Sequence, residues 1–376
     1  MILTNANVVC GDFKIRRVDV EIENDRIVRI GEHLTGGEKL DLSGKYLLPG
    51  FIDTHIHGAN GARFDDKEPN IPLITEFEAT QGVTAVAATV AGSIEGIKRQ
   101  CESAYAAHLD PKGAKVVAIH SEGPFLSVKR KGAMGEKNII EPDGAKLEEI
   151  CDSAHGLLRI VTIAPEREGS KALIDCAASR GIVVSMGHTD ANYDEARDAI
   201  EAGVSRMTHT FNAARPINHR DPGSVCAALT SDKVICEVIC DFIHLHPSVV
   251  KLIYAAKGAD RMCMISDSSK VAGIQVDEFE VGGVKRYVKD GCIRLADGTI
   301  AGSTCTMLNG VRNLLHIGIP MEDVAKIASY TPARSIGMGN ELGSIEVGKY
   351  ADLVALDGDL QVAYTFINGK CAYKRG

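Results

Sequence analysis

Apolar and polar residues alternate through positions 1–45, where Ile2 and Leu3, then Val18, Val20 and Ile22, then Ile27, Val28 and Ile30 are separated by turn signals at Gly11-Asp12 and Glu23-Asn24-Asp25. A period of two marks short antiparallel strands that bury one face. The same texture returns in Gly343–Leu356 and in Tyr364–Gly369. The two ends are therefore expected to pair into one small β-sandwich domain, residues 1–50 with 340–376, and the middle of the chain to be inserted between them.

From about residue 46 to 340 the pattern becomes strand, loop and helix, repeated. Strands are expected at Leu47–Thr54, Val83–Val90, Lys115–His120, Leu158–Ala164, Ile182–Met186, Arg206–Thr210, Val234–Cys240 and Met262–Ser266. Helices are expected between them, among them Ile94–Leu109, and Lys171–Ser179, Tyr193–Ala202 and Pro247–Lys257 with stop signals at Gly181, Gly203 and Gly258. Eight parallel strands each followed by a helix close into an α/β (β/α)8 TIM-like barrel, here residues 51–339, with its chemistry at the C-terminal ends of the strands. A hairpin through Phe279–Val288 and Cys292–Leu295 interrupts the pattern and leads into Ala301-Gly302-Ser303, after which 304–316 and 321–330 resume helical spacing.

Composition narrows the function classes. Hydrophobic residues make up 45% of the 376, yet no apolar run approaches the ~18 residues of a membrane span. The opening Met1-Ile2-Leu3-Thr4-Asn5 lacks the basic and apolar segments of a signal peptide, so neither membrane nor export is expected. Eleven scattered cysteines, none in a CxxC pair, point to reduced thiols and a cytoplasmic location. A net charge of −8 disfavours nucleic acid as a partner, so an anionic ligand must meet a local basic cluster.

The candidate chemistry lies where the strands end. The run Tyr46–Gly58 finishes in His55 and His57, and residues i and i+2 of a strand face one side, so the two imidazoles can clamp one metal ion. Strand three ends in His120-Ser121-Glu122-Gly123-Pro124, strand five in Gly187-His188-Thr189, strand six in His209, and strand eight in Ser266-Asp267-Ser268. Imidazoles and carboxylates brought from different strands onto one rim make a divalent-metal site. A buried structural histidine pair would not account for the recurrence.

These residues resemble the amidohydrolase superfamily and, within it, the N-acetylglucosamine-6-phosphate deacetylase family. The motifs that carry the resemblance span nearly the whole chain: Pro49–Gly58, Ser121-Glu122-Gly123-Pro124-Phe125, Gly187-His188-Thr189, His209-Thr210-Phe211-Asn212-Ala213, His219-Arg220-Asp221-Pro222-Gly223, Asp241-Phe242-Ile243-His244, Ser266-Asp267 and Ala301-Gly302-Ser303. The resemblance implies that Glu122, His188 and His209 hold a main metal ion, with His55 and His57 at a second position that Glu122 can bridge. It implies one or two divalent ions per chain, zinc foremost, with iron or another divalent ion as the alternative. Asp267 is then the acid–base group that takes a proton from water and returns it to the departing sugar amine. Arg220 would meet the 6-phosphate of a phosphorylated amino sugar. Ala133, Met134, Asn212, Ala213, His244, Ile300, Ala301, Gly302 and Ser303 would line the rest of the substrate site. His120, Glu166, His219 and His246 are expected to be structural or supporting, and a homodimer is implied.

Two departures from the family pattern stand out. Met134 replaces a histidine that in many relatives helps polarise the scissile carbonyl, and a thioether donates no hydrogen bond. After Phe-Asn-Ala the chain continues as Ala214-Arg215, where relatives commonly carry a methionine. A cyclic-amidase activity is disfavoured, because strand four ends in Thr162-Ile163-Ala164-Pro165-Glu166, without the lysine that would be carboxylated. Deacetylation of another phosphorylated amino sugar, such as N-acetylgalactosamine-6-phosphate, is the alternative within the class; outside it stands an inactive barrel that only binds, whose expected sign would be a missing ligand or base.

Overall fold

A computed structural model describes residues 1–376. Eight parallel strands follow one another in chain order around a barrel: Phe51–Ile56, Val83–Val90, Lys115–Glu122, Leu158–Ile163, Val183–Met186, Arg206–Met207, Ile235–Ile239 and Met262–Ile265. At the seam between the first and last strands Asp267 N donates to His55 O at 2.9 Å, and Ser266 N donates to Asp53 Oδ1 at 3.3 Å. The expected number and order of strands are those observed.

The first expected strand proves to be two. Leu47–Thr54 reads as one apolar run, but Tyr46–Pro49 pairs with Leu353–Leu356 in a terminal sheet, and only Phe51–Ile56 enters the barrel. Gly50 is the joint. Its backbone runs so close to strand two that a Cβ there would lie 2.2 Å from Thr84 Cγ2. Strand six is shorter than expected, Arg206–Met207 instead of Arg206–Thr210, because the chain turns at His209 with φ 27°.

Helices Ile94–Leu109, Tyr193–Ala202 and Pro247–Lys257 occupy the expected spans. Ser93 caps the first of them by accepting from Gly96 N, and Asn192 with Glu195 forms a capping box on the second. Ser170–Ser179 matches the expected Lys171–Ser179 to within one residue, and helices Ile71–Thr80, Gly144–Ser153, Gly223–Thr230 and Met307–His316 complete the outer ring. The floor of the barrel is plugged from below: Ala333, Ile336 and Leu342 pack against Ile52, Ala85, Ala87 and Ile160.

The excursion after strand eight is an antiparallel sheet of Glu278–Val281, Val284–Lys289, Cys292–Arg294 and Ile300–Ser303. The last of these strands is tied to the barrel rim, since Ser303 N donates to Asp267 O at 3.1 Å.

At the chain ends, a sheet ordered Arg26–Gly31, Asp19–Glu23, Ile2–Thr4, Lys39–Asp41 faces one ordered Lys370–Lys374, Val362–Ile367, Leu353–Leu356, Tyr46–Pro49, Asn7–Val9, Ile15–Arg17. Leu3, Val20, Ile22 and Ile27 from the first meet Val8, Leu47, Leu353 and Phe366 from the second in one buried cluster. This sandwich is fixed to the barrel by Lys115 Nζ, 2.6 Å from Asp352 Oδ2, and by Thr365 Oγ1 donating to Ala79 O at 2.7 Å.

The close approach at Gly50 gives a test of how the two parts are joined. Gly50→Ala drives a methyl into Thr84 and is expected to destabilise by about 1–3 kcal/mol, as overpacking does. Thr84→Ala should recover part of that loss in thermal or urea unfolding. Equal stability of Gly50→Ala and wild type would show that the joint has slack.

Candidate active site

Three of the six residues at the barrel mouth adopt backbone conformations that ordinary side chains avoid. His188, His209 and Asp267 have φ of 47°, 27° and 47°. Left-handed backbone costs a non-glycine residue ~1–3 kcal/mol, and such strain persists where the surroundings enforce it. Here it turns the side chains at the ends of strands five, six and eight over the mouth of the barrel. His55 and His57 arrive from the end of strand one and Glu122 from strand three.

The six side chains meet around Glu122. Its Oε1 is 3.1 Å from both His188 Nε2 and His209 Nε2, and those two nitrogens are 3.1 Å from each other. Oε2 lies 3.2 Å from His57 Nε2, and Oε1 lies 3.4 Å from His55 Nε2. Asp267 Oδ1 closes the other side, 3.3 Å from His57 Nε2 and 3.6 Å from His55 Nε2. Two ligand groups are thereby formed, Glu122 with His188 and His209, and His55 with His57 and Asp267, and each could hold a metal ion.

The hydrogen bonds behind the imidazoles show that this donor set fits a cation. His188 Nδ1 is 2.9 Å from Arg130 O, which only accepts, so Nδ1 carries the proton and a neutral ring points its Nε2 lone pair at Glu122. His55 Nδ1 is 2.9 Å from the Glu237 carboxylate, which likewise fixes its proton on the far side from the site, and His55 Nε2 has no hydrogen-bond partner. Lone pairs and carboxylate oxygens facing one another in a buried space repel unless positive charge lies among them. Protons on the imidazoles are one source of it: burial opposes charge on His55, but Glu122, Glu237 and Asp267 outweigh that and hold its pKa well above the ordinary value. A divalent ion is the other source, and its binding releases those protons.

The carboxylates respond in kind. Burial acts to raise Glu122, but His55, His188 and His209 hold it well below the carboxylate range. Burial likewise opposes ionisation of Asp267, and His55 and His57 bring it down to about 2. Asp267 is thus ionised at neutral pH, the form a proton acceptor requires.

Glu237 was not among the residues singled out from sequence. It lies fully buried in strand seven, where its Oε2 accepts from His209 N at 3.0 Å and faces His55 Nδ1, while Oε1 accepts from Arg206 Nε at 2.7 Å. One carboxylate therefore orients a member of each ligand group. The available signal was a single acidic residue within the apolar run Val234–Cys240.

The remaining candidates are placed as follows. Asn212 and Ala213 follow His209, with Asn212 Nδ2 donating to His209 O at 3.2 Å. His244 is buried, and its Nδ1 is 2.6 Å from Asp241 Oδ2. Ile300, Ala301, Gly302 and Ser303 form the strand tied to Asp267, and Ala133 packs against the cluster that contains Ala301. Met134 is half-buried in the loop that crosses His188. Arg220 is exposed, and its guanidinium pairs with no carboxylate. Of the residues expected to play supporting parts, His120 donates or accepts with Thr162 Oγ1 at 2.7 Å beneath the site, Glu166 accepts from Thr189 Oγ1 and Asp190 N, and His246 caps Pro247–Lys257. His219 is exposed.

Fold and site together define a (β/α)8 hydrolase barrel with a buried cluster of histidines and carboxylates that could hold metal. The chain belongs to the amidohydrolase family, whose model matches residues 46–372. It is 32% identical to the N-acetylglucosamine-6-phosphate deacetylase of Lysinibacillus sphaericus over 98% of this chain and 97% of that one. It is also 31% identical to an N-acetylgalactosamine-6-phosphate deacetylase of Escherichia coli O157:H7, with 87% of each chain covered. Among solved structures, N-acetylglucosamine-6-phosphate deacetylase from Thermotoga maritima superposes with a TM-score of 0.92 at 35% identity over the full length of both chains. A variant of the Mycobacterium smegmatis enzyme in complex with N-acetyl-D-glucosamine-6-phosphate superposes with 0.93 at 32% identity, over 100% of this chain and 99% of that one.

If Glu237 orients His55, Glu237→Gln should weaken metal binding at the His55–His57 position by about 10–100-fold. Chelator competition and metal-to-protein ratio measure it, with circular dichroism to confirm the fold. Unchanged affinity in a folded variant would remove Glu237 from this role.

Proposed function

We propose that the chain is a metal-dependent deacetylase that hydrolyses the acetamide of N-acetylglucosamine-6-phosphate to glucosamine-6-phosphate and acetate, in amino-sugar catabolism or recycling. The observation that carries the proposal is the convergence of Asp267 with five metal-ligand side chains at one barrel mouth, in a chain matched end to end by deacetylases of this name. Glu122, His188 and His209 would hold one divalent ion, zinc by preference for this imidazole and carboxylate set. His55 and His57 would hold a second, with Glu122 shared between them. A bound ion would supply Lewis acidity, activating water and polarising the carbonyl.

The protein's own groups do the rest. Asp267 takes the proton from the attacking water and passes it to the amine nitrogen as the C–N bond breaks, so a single carboxyl group serves both halves of the reaction. His244, with Nδ1 committed to Asp241, keeps Nε2 for a substrate oxygen. Asn212, Ala213, Ala133, Met134 and the strand Ile300–Ser303 would line the sugar and acetyl pocket, and Arg220 would take the phosphate. Met134 cannot donate to the carbonyl, and an ion held by His55 and His57 would supply that Lewis acidity instead.

The galactosamine epimer is the second reading, favoured by the relative of that name. The proposal extends to a homodimer in the cytoplasm, consistent with eleven free cysteines, and to a division of the chain into 1–50 with 340–376 and 51–339. No helix is long and apolar enough to cross a membrane.

Deacetylation of phosphorylated and unphosphorylated N-acetylhexosamines by metal-replete protein tests the function. Asp267→Asn should reduce kcat at least a thousandfold, on the order of what loss of acid–base catalysis removes, with metal content intact. Near wild-type turnover in that variant would mean another group carries the proton.

The second ion is tested separately. Wild type should bind two metal ions per chain, and His55→Asn combined with His57→Asn should bind one and lose most activity. Full activity with one ion per chain in the double variant would leave the histidine pair a structural role only.

A further inference from the structure

The turn that carries Arg220 is braced by a chain of ion pairs that begins beside a ligand candidate. Asp190, two residues after His188, is the hub: Lys129 Nζ lies 2.5 Å from Oδ2, Arg130 Nε and Nη2 lie 2.8 and 2.7 Å from Oδ1, and Arg215 Nη2 lies 3.2 Å from Oδ2. The hub is itself anchored, since Asp190 N donates to Glu166 Oε1 at 2.7 Å and Thr189 Oγ1 donates to Glu166 Oε2 at 2.5 Å. The other end of the Arg215 fork donates from Nη1 to both oxygens of Asp221, at 3.1 and 2.9 Å.

Between these two pairs lies the turn that presents Arg220. Asn218 and Asp221 exchange backbone hydrogen bonds at 3.3 and 3.0 Å, and Arg220 N donates to Asn218 Oδ1 at 3.0 Å. The Arg215 stem packs so closely under Gly223 that a Cβ there would be 3.3 Å away. Arg215 thus has both faces of its fork committed to carboxylates, whereas Arg220, five residues on, has none. A planar fork already bridging two anions is badly placed to bind a third, but well placed to fix the loop between them.

We propose that Arg215 is a positioning residue for phosphate selectivity: held between Asp190 and Asp221, it fixes the 216–222 turn so that the Arg220 fork meets the substrate's anion already oriented. It rests on the proposed function and deepens it. Ordering the turn before binding lowers the entropy lost when the anion arrives, so the brace acts on binding and leaves the chemical step alone. The Arg215–Asp221 pair, with the Asp221 side chain 57% exposed, adds little to stability, and the effect of breaking it is to be sought in substrate recognition.

Holoenzyme of wild type, Arg215→Gln, Arg220→Ala and the double variant should be compared on N-acetylglucosamine-6-phosphate and on unphosphorylated N-acetylglucosamine. Arg215→Gln is expected to raise KM for the phosphorylated substrate by about tenfold, an effect of lost preorganisation, with kcat and the unphosphorylated reaction within about twofold of wild type. In the Arg220→Ala background it should add nothing. Asp221→Asn breaks the bridge from its other end and should reproduce the KM pattern, which covers the case in which Arg215→Gln fails to fold. Equal losses on both substrates, an unchanged KM, or losses that add to those of Arg220→Ala would each overturn the brace. A wild type that does not prefer the phosphorylated substrate overturns the proposed function and the brace together; a wild type that does, with the preference unaltered in Arg215→Gln and Asp221→Asn, overturns the brace alone.

Discussion

Everything at the mouth of this barrel depends on the repulsion among Glu122, Asp267 and the inward lone pairs of His55 and His188, and on positive charge to cancel it. Six groups that would each be solvated in an unfolded chain are gathered around Glu122 in two clusters of three and largely shut off from water. In such a place unlike charges attract and like charges repel far more strongly than in solvent. The centre is therefore poised to take up cations, and the same carboxylates, acting against burial, favour a proton on His55 and on His57.

Holding that arrangement requires a second layer with its own charge balance. Arg206 and Glu237 are both fully buried, and their pair is completed by Thr54 and Ser335 on Arg206 and by His55 and His209 N on Glu237. Burial would raise the Glu237 carboxyl, yet Arg206 and His55 keep it ionised. Its charge in turn keeps the His55 proton on Nδ1. The strained backbone at His188, His209 and Asp267 belongs to the same economy of support: the barrel hydrogen bonds on either side hold three residues in conformations they would leave if free. Removing a partner from this layer exposes a buried charge, which is why its effect should reach the metal and not only the melting temperature.

The barrel and the gathering of histidines and carboxylates at its mouth were legible because they obey short-range rules. A histidine pair at i and i+2 must share a face, and the period of the apolar runs counts eight strands whatever their partners are. What escaped the sequence was set by contacts distant along the chain. Leu47–Ile52 reads as one strand, but pairing with Leu353–Leu356 on one side of Gly50 and with Val83–Val90 on the other divides it between two sheets. Helix Gly223–Thr230 is apolar on nearly every face, so it does not show the stripe that a surface helix displays. Glu237 was hidden by the usual expectation that a charge belongs at the surface; its place is decided by Arg206, 31 residues away, and His55, 182 away.

Charge on this protein is sorted by depth, and the sorting follows from what each zone must bind. The core of the site is rich in carboxylate and imidazole, suited to cations, while Lys129, Arg130, Arg215 and Arg220 stand on the rim above it. A net charge of −8 would repel an anionic sugar phosphate at long range, so local cations must offset that field where the substrate enters. Left unpaired, four cations this close would repel one another and spread the two loops apart. Asp190 neutralises part of that charge, drawing Lys129, Arg130 and Arg215 inward, and burial is outweighed by those three cations so that its pKa falls to about 2. Three of the four rim cations thereby become structure, and the charge of Arg220 is the one left free to act on a ligand.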